Sequence, residues 1–135
     1  MIIGIGSDIV DIRRIENILR RHGKRFEERC FTKAERNLAE KRQGNDAHHN
    51  YNTYAKRFAA KEACVKALGT GFIDNITMKD ISVKKDRLGR PYLLLNGGAL
   101  QKLNSLIPEN MHPHIHLSLS DEPPYAQAFV VIEAY

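Results

Sequence analysis

The stretch RFAAKEACVKALGTG, residues 57–71, carries the strongest structural pattern in the chain. Apolar side chains such as Phe58 and Val65 recur there at helical spacing, and Gly69 follows as a residue that commonly ends helices. The pattern predicts a helix from about Tyr51 to Leu68.

Glu62 is the unusual residue of this helix, because helical spacing places it on the same face as apolar side chains. A carboxylate on an apolar stripe needs a cation or a set of hydrogen bonds. Lys66 lies one turn further on and offers an ordinary i,i+4 ion pair. Taken alone, that pair is the simplest account of Glu62.

Outward from this helix, the pattern changes from helices to short strands, with no repeated βαβ unit. This order predicts an α+β fold with a small antiparallel sheet packed with helices. The predicted elements are a strand over 2–7, a helix from Asp11 to Gly23, a helix opened by the Thr32–Glu35 capping box and reaching about Arg42, a loop over 43–50, the 51–68 helix, strands over Ile81–Lys85 and Pro91–Asn96, a helix over Gly98–Ile107, and a hairpin of His114–Ser120 with Ala126–Glu133.

Length and composition bound the class of protein. A chain of 135 residues with 42% hydrophobic residues suits a single domain spanning 1–135 with its own core. Its two cysteines are too few for a disulfide framework and form no metal-type pair, so we expect a reducing cytoplasm. No apolar run is long enough to span a bilayer, and we expect no membrane role.

The net charge of +5 is concentrated in one region. Residues 13–42 hold eleven Lys and Arg against five Glu. Such a patch suits an acidic partner or a polyphosphate, although on charge alone a solvated helical face is the commoner explanation.

Asp8 is a second carboxylate of interest, because it directly follows the apolar first strand. Alone, it could simply cap the next turn. Asp8, Glu62 and Lys66 together suggest more, since Mg²⁺ is usually held by one or two carboxylates plus substrate phosphates, and a lysine can pair with a diphosphate.

A polar strand face and a glycine-containing turn each have a structural explanation as well as a functional one. His114, His116 and Ser118 share the polar face of a strand, which commonly faces solvent; the two histidines lack an evident third metal ligand. The loop containing Gly69 and Gly71 could let a phosphate approach the backbone, but it is more simply a helix C-cap and turn. The chain has no complete dinucleotide fingerprint and no P-loop.

Three segments together resemble the holo-acyl-carrier-protein synthase family of phosphopantetheinyl transferases. They are GIGSDIVDIRRIE (4–16), the highly specific RFAAKEACVKALGTG (57–71) and HLSLS (116–120), in the family's order. The resemblance implies a 4′-phosphopantetheinyl transferase-like α+β fold. The chain departs from the pattern at Asp121, where many members have a second histidine.

The resemblance also implies a reaction in fatty acid biosynthesis. A serine of the carrier protein would attack the pantetheine side of the coenzyme A diphosphate and release 3′,5′-ADP. Asp8 and Glu62 would ligate Mg²⁺, and Glu62, directly or through a metal-bound water, would take the serine proton. Lys66 would stabilise the leaving phosphate. Coenzyme A binding is implied for Lys66, His116, Ser118, Arg57, Gly69 and Gly71.

The basic first helix then has an expected partner, because acyl carrier proteins are acidic. Arg14 and Arg21, with Arg13 and Lys24 nearby, would dock the carrier, and Phe26 would add an apolar contact. By the same resemblance we expect a homotrimer with sites between subunits.

The sequence is also compatible with two rival functions. A basic nucleic-acid-binding module would use the 13–42 patch on phosphates and would have no role for Glu62. A magnesium-dependent nucleotide phosphohydrolase would need the same carboxylates but no carrier protein. The transferase is favoured because of residues 57–71, and no nucleic-acid partner is expected.

Overall fold

The structure is a computed structural model that describes residues 1–44, 47–73 and 75–135. It confirms the α+β class and the predicted order of elements. In chain order these are β1 (Ile2–Asp11), α1 (Ile12–Cys30), α2 (Lys33–Gln43), α3 (Ala47–Leu68), a short 3₁₀ turn (Met78–Asp80), β2 (Ile81–Lys85), β3 (Pro91–Leu95), α4 (Gly97–Leu106), β4 (Pro113–Glu122) and β5 (Tyr125–Ala134).

The strands form two antiparallel groups. β1, β5 and β4 make a three-stranded sheet in that order, and β2 pairs with β3 as a separate hairpin. Asp8 on β1 lies opposite Ala128 of the central strand, which in turn lies opposite Leu119 of β4. Side chains therefore alternate between an inner face that packs on α3 and an outer face that does not.

Small residues let α3 lie close to the inner face of this sheet. Ala63 and Ala67 are buried on the helix, and a side-chain carbon built at Gly6 or Gly4 would collide with their backbone carbonyl groups. The two glycines are therefore required by close approach rather than by a turn. This contact fixes Asp8, two residues after Gly6, beside the second half of α3.

The outer face of the three-stranded sheet remains open in the single chain. Ile5, Ile9 and Phe129 are 61%, 65% and 45% exposed on it. Large apolar side chains clustered in this way commonly mark an interaction surface.

A buried ion pair joins the helices on the other side of α3. Lys61 Nζ lies 2.7 Å from Glu35 Oε1 and donates to the Cys30 carbonyl at 2.6 Å. The same carboxylate accepts from the backbone N–H of Thr32, as the predicted capping box requires, and from that of Val83. This single network ties α2, α3 and β2 together.

Several predicted boundaries are wrong by more than the usual fraying of element ends. Gly23 does end the first helical segment of α1, as predicted, because its φ of 39° and ψ of −117° are not helical, but a second helical segment that was not predicted continues from this bend to Cys30. Asp8 lies within β1 rather than after it, since β5 is long enough to pair with the strand as far as Asp11. α3 begins at Ala47, inside the predicted loop; positions 45 and 46 of that loop lie outside the described residues.

Candidate active site

Asp8 and Lys66 meet where β1 crosses the last turns of α3. Lys66 Nζ lies 3.0 Å from Asp8 Oδ1 and also donates to the Ser7 carbonyl at 3.0 Å. The Lys66 side chain is 52% exposed and that of Asp8 is 16% exposed. The lysine therefore pairs with Asp8 rather than with Glu62, and the ordinary i,i+4 explanation of Glu62 is wrong.

Glu62 is half-buried beside this pair, and among the residues that the structure describes it forms no salt bridge. Burial raises the pKa of Glu62, and the negative charge of Asp8 raises it further. Lys66 and Arg14 act in the opposite direction. Two carboxylates that sequence spacing alone could not bring together are thus close enough to repel each other.

This donor set fits a hard cation such as Mg²⁺. Asp8 and Glu62 offer carboxylate oxygens as ligands, and a cation placed between them would relieve the repulsion that Glu62 feels from Asp8. In residues 1–44, 47–73 and 75–135, no group of three or more His, Cys, Asp or Glu could hold a metal ion. A magnesium ion here would therefore complete its shell with phosphate oxygens and water.

Arg57 is buried in an unusual way. Its side chain is 1% exposed, its Nη1 donates to the Thr53 carbonyl at 3.5 Å, and within the described part of the chain its Nε and Nη2 have no hydrogen-bond partner. Burial lowers its pKa, and the positive charge of Arg42 lowers it further. Unpaired buried donors of this kind favour an anionic ligand.

A cavity of about 270 Å³ is lined by Arg42, Asn52, Thr53 and Lys56, and Arg57 is linked to this lining by its hydrogen bond to the Thr53 carbonyl. Lys85, at the end of β2, belongs to the same group of charges, since burial and the charges of Arg42, Arg57 and Lys56 lower its pKa. We call this group the cationic pocket: Arg42, Asn52, Thr53, Lys56, Arg57 and Lys85. Sequence analysis singled out only Arg57, because the others come from three elements whose approach only packing reveals.

His116 and Ser118 do not join Asp8 and Glu62 within one chain. Both lie on the outer face of β4, whereas Asp8 is on β1 at the other edge of the sheet and faces α3. Two strand spacings, about 10 Å, separate these edges. His116 Nε2 instead lies 2.8 Å from Glu133 Oε2.

Gly69 and Gly71 form the turn that ends α3. Both have positive φ, 77° and 69°, and the backbone N–H groups of Gly69 and Thr70 donate to carbonyls of the last turn. This is the helix C-cap that the simpler interpretation predicted. Their predicted contact with coenzyme A stays a prediction.

The basic residues predicted to dock a carrier differ in their surroundings. Arg21 and Lys24 are exposed on α1, while Arg13 is bound to Asp11 at 2.7 Å. The guanidinium carbon of Arg14 lies 5.9 Å from the centre of the Phe58 ring, on the side where it influences Glu62. Arg14 therefore connects the basic helix with the carboxylate cluster.

Phe26 is only partly available for an apolar contact. Its ring lies 5.7 Å from that of Phe31 and 6.1 Å from that of Phe58, so one side belongs to the core. Its other side borders a largely apolar cavity of about 380 Å³ on α1, lined by Ile18, His22, Arg25, Phe26 and Arg29. Sequence analysis missed this cavity, because its lining residues lie on both sides of the bend at Gly23.

Comparison with known proteins identifies the family. The model of the 4′-phosphopantetheinyl transferase superfamily matches residues 4–126. The chain is 55% identical over 134 residues to the holo-[acyl-carrier-protein] synthase of Granulibacter bethesdensis, covering 99% of this chain and 90% of that protein. It is 52% identical to the holo-[acyl-carrier-protein] synthase of Caulobacter vibrioides, covering 99% and 97% of the two chains.

Solved structures agree with these relatives. The crystal structure of the Neisseria meningitidis holo-[acyl-carrier-protein] synthase matches with a TM-score of 0.82 at 37% identity, over 98% of this chain and 99% of that one. The Helicobacter pylori synthase in complex with coenzyme A matches with a TM-score of 0.78 at 30% identity, over 96% and 99%. The chain therefore belongs to the holo-[acyl-carrier-protein] synthase family of phosphopantetheinyl transferases, and it is an enzyme.

Proposed function

We propose that this enzyme transfers the 4′-phosphopantetheine group from coenzyme A to a serine of apo acyl carrier protein, with Mg²⁺, and releases 3′,5′-ADP. The observation that carries this proposal is the convergence of Asp8, Glu62 and Lys66, two carboxylates and an ammonium group on the contact between β1 and α3. The binding of coenzyme A by the Helicobacter pylori relative supports the choice of substrate.

The carboxylates of Asp8 and Glu62 would hold the magnesium ion. When bound, Mg²⁺ would neutralise charge on the diphosphate oxygens of coenzyme A. Lys66 is exposed enough to exchange its contact with Asp8 for a phosphate oxygen, so that its ammonium group meets the charge that develops on the leaving phosphate.

Glu62 would act as the general base. Its raised pKa makes its carboxylate a better proton acceptor than an ordinary glutamate at the surface. The serine hydroxyl oxygen attacks the phosphorus on the pantetheine side, and its proton passes to Glu62. The bond from that phosphorus to the bridging oxygen breaks, and 3′,5′-ADP leaves with the electron pair.

The cationic pocket would hold the remaining phosphate of coenzyme A, the 3′-phosphate on the ribose. Arg57 supplies two buried donors without partners in the described part of the chain, and Lys56 and Arg42 line the cavity beside it. Lys56 and Glu62 are six residues apart on α3, about 9 Å along the helix axis. A nucleotide that carries both a ribose phosphate and a diphosphate can bridge such a distance.

We further propose that the enzyme is a homotrimer with sites between subunits. His116 and Ser118 are on the outer face of the sheet, so within one chain they cannot meet a ligand held by Asp8 and Glu62. A neighbouring copy that covers the exposed Ile5, Ile9 and Phe129 could bring its own β4 to the site. Light scattering on the purified protein would give the mass of the assembly.

The acidic carrier protein would dock on α1. Arg14, Arg21 and Lys24 present positive charge there, and the apolar cavity beside Phe26 offers a place for a carrier side chain. Because Arg14 also influences Glu62, a carrier bound to this helix would deliver its serine near the proposed base.

We propose that the enzyme works in the cytoplasm. The carrier substrate would place the enzyme in fatty acid biosynthesis, and the whole chain would act as one domain. Cys30 and Cys64 are both free thiols, which suits the reducing cytoplasm. Among the helices of residues 1–44, 47–73 and 75–135, none combines the length and the apolar character of a membrane span.

The test is the intact mass of an apo acyl carrier protein after incubation with the enzyme, coenzyme A and Mg²⁺. We expect a gain on the order of 340 Da, the covalent addition of one phosphopantetheine group. The Glu62→Gln variant should produce no gain in carrier mass, and adding a chelator to the wild-type reaction should abolish it. Glu122→Gln, which removes a carboxylate outside the cluster, should keep it.

Two other outcomes would contradict the proposal in different ways. Cleavage of coenzyme A without any gain in carrier mass would indicate the nucleotide phosphohydrolase. Full activity of Glu62→Gln would leave the transferase standing but would remove Glu62 from the chemistry.

A further inference from the structure

Asp121 connects the sheet to the cationic pocket. It is the penultimate residue of β4, and its Oδ2 accepts a hydrogen bond from Asn52 Nδ2 at 2.9 Å. Its Oδ1 lies 3.3 Å from Lys56 Nζ. Both partners are on the first half of α3 and line the cavity of the pocket.

The contact places a negative charge against an otherwise positive group. Lys85 reports on these surroundings, because burial lowers its pKa and the positive charges of Arg42, Arg57 and Lys56 lower it further. Asp121 itself stays ionised at neutral pH, since the hydrogen bond from Asn52 and the charge of Lys56 lower its pKa. Its carboxylate therefore cancels part of the attraction that the pocket exerts on an anion.

The Asp121–Lys56 pair is also able to open. The two side chains are 30% and 23% exposed, so water reaches both, and the distance of 3.3 Å is longer than that of the buried Lys61–Glu35 pair. Partly exposed ion pairs of this kind hold their geometry weakly and exchange partners readily.

We infer that Asp121 is a positioning residue that sets how tightly the cationic pocket holds a phosphate. It keeps Lys56 and Asn52 at the cavity wall, and it competes with the incoming phosphate for the Lys56 ammonium group. This inference rests on the proposed function, in which the pocket receives the 3′-phosphate of coenzyme A.

The competition has a consequence for turnover. The product 3′,5′-ADP carries the same ribose phosphate as coenzyme A, so a pocket that bound this group more tightly would also release the product more slowly. Asp121 would give up some affinity for substrate and thereby shorten the time that the product stays bound.

The experiment compares two ligands that differ only in the 3′-phosphate. The dissociation constants of coenzyme A and of 3′-dephospho-coenzyme A are measured by calorimetry for the wild type, Asp121→Asn and Glu122→Gln. Asparagine keeps an oxygen that can accept from Asn52 but removes the charge. Glu122 is the neighbouring carboxylate and is the matched control.

We expect Asp121→Asn to bind coenzyme A about twofold to fivefold more tightly, the range of a partly exposed charge pair. Its affinity for 3′-dephospho-coenzyme A should not change, and Glu122→Gln should match the wild type for both ligands. In a Lys56→Met background, the affinity for coenzyme A should be lower, and Asp121→Asn should raise it by less than it does in the wild type.

Three results would overturn the inference. Asp121→Asn could weaken both ligands equally, which is the result of a purely structural role. It could leave both affinities unchanged while the wild type still prefers coenzyme A, which would overturn the role of Asp121 alone. If the wild type bound both ligands equally, the pocket would not hold the 3′-phosphate, and that part of the proposed function would fail as well, whereas the carrier-mass assay would still test the transfer reaction.

Discussion

Two lysine–carboxylate pairs on α3 have the same chemistry and different surroundings. Lys61 and Glu35 lie 2.7 Å apart, with side chains 0% and 1% exposed. Lys66 and Asp8 lie 3.0 Å apart, with side chains 52% and 16% exposed. Five residues of one helix separate the two lysines, yet one is enclosed by protein and the other faces solvent.

The comparison indicates that burial, rather than residue type, decides whether a lysine–carboxylate pair supports the fold or is accessible to a ligand. The Lys61–Glu35 pair is fully enclosed and its carboxylate also serves Thr32 and Val83, so the pair cannot exchange partners without opening the core. The Lys66–Asp8 pair is partly exposed and can exchange partners with a small change in free energy. It lies beside Glu62, whose pKa is raised by burial and by the charge of Asp8. The first pair supports the fold, and the second is available to a ligand.

Breaking the buried pair should have the largest effect. Lys61→Met leaves the buried carboxyl group of Glu35 without its cationic partner, and we expect the free energy of unfolding to fall by about 3–5 kcal/mol. Urea unfolding followed by circular dichroism measures this change. The double variant Lys61→Met with Glu35→Gln should recover part of the loss, and a loss below about 1 kcal/mol in the single variant would contradict the structural role.

Breaking the exposed pair should separate stability from activity. Lys66→Met should change the free energy of unfolding by less than about 1 kcal/mol, because solvent already screens the pair. The rate of carrier modification should fall by roughly 10²–10³-fold, the usual loss when one donor to a developing negative charge is removed. Normal activity together with lowered stability would reverse the roles assigned to the two lysines.

Moving β1 away from α3 should disturb the exposed pair through the backbone. Gly6→Ala places a methyl group against the Ala63 carbonyl, and we expect a loss of about 1–3 kcal/mol in stability together with reduced transfer activity. Ser7→Ala, whose side chain points to the open face, is the control and should stay within about 0.5 kcal/mol of the wild type. Equal stability of the two variants would mean that the close approach at Gly6 is not needed.

The smallest effect concerns the pH dependence contributed by Glu62. The pKa of Glu62 is raised in the folded protein above its ordinary value of 4.5, so protonation of Glu62 stabilises the folded state relative to the unfolded chain. This stabilisation is fully present below pH 4.5 and is lost as the pH rises through the raised pKa. Glu62→Gln should therefore be slightly more stable than the wild type at neutral pH, by less than about 1 kcal/mol, since solvent reaches part of the side chain.

The measurement for this prediction is thermal unfolding of both proteins between pH 4 and pH 8. The difference in stability should narrow as the pH falls and Glu62 becomes protonated in the folded wild type. A difference that grew on acidification would mean that the pKa of Glu62 is lowered rather than raised, and that Glu62 has a fixed cationic partner.

Local features were predictable from the sequence alone, because they depend on residues near each other in the chain. The Thr32–Glu35 capping box, the helix ending at Gly69, the strand over Ile81–Lys85 and the alternation in the final hairpin all appear as predicted. Glu62 was also identifiable, since a carboxylate among apolar neighbours breaks the helical pattern.

Partnerships between distant residues were decided only by the tertiary structure. Lys66 could have paired with Glu62, and the packing of β1 on α3 through Gly4 and Gly6 gave it Asp8 instead. The path of α1 after Gly23 was also decided by tertiary packing, because the second part of the helix packs the ring of Phe26 against that of Phe31.

The cationic pocket is the clearest example of a site that the sequence alone does not predict. It gathers Arg42, Lys56, Arg57 and Lys85 from three elements, and Asp121 reaches it from the end of β4. Arg42, Lys56 and Lys85 look like ordinary surface charges in the sequence. Periodicity reports which way a side chain faces along one element, whereas a binding site depends on which faces of different elements meet, and that is settled by how the whole chain buries its apolar surface.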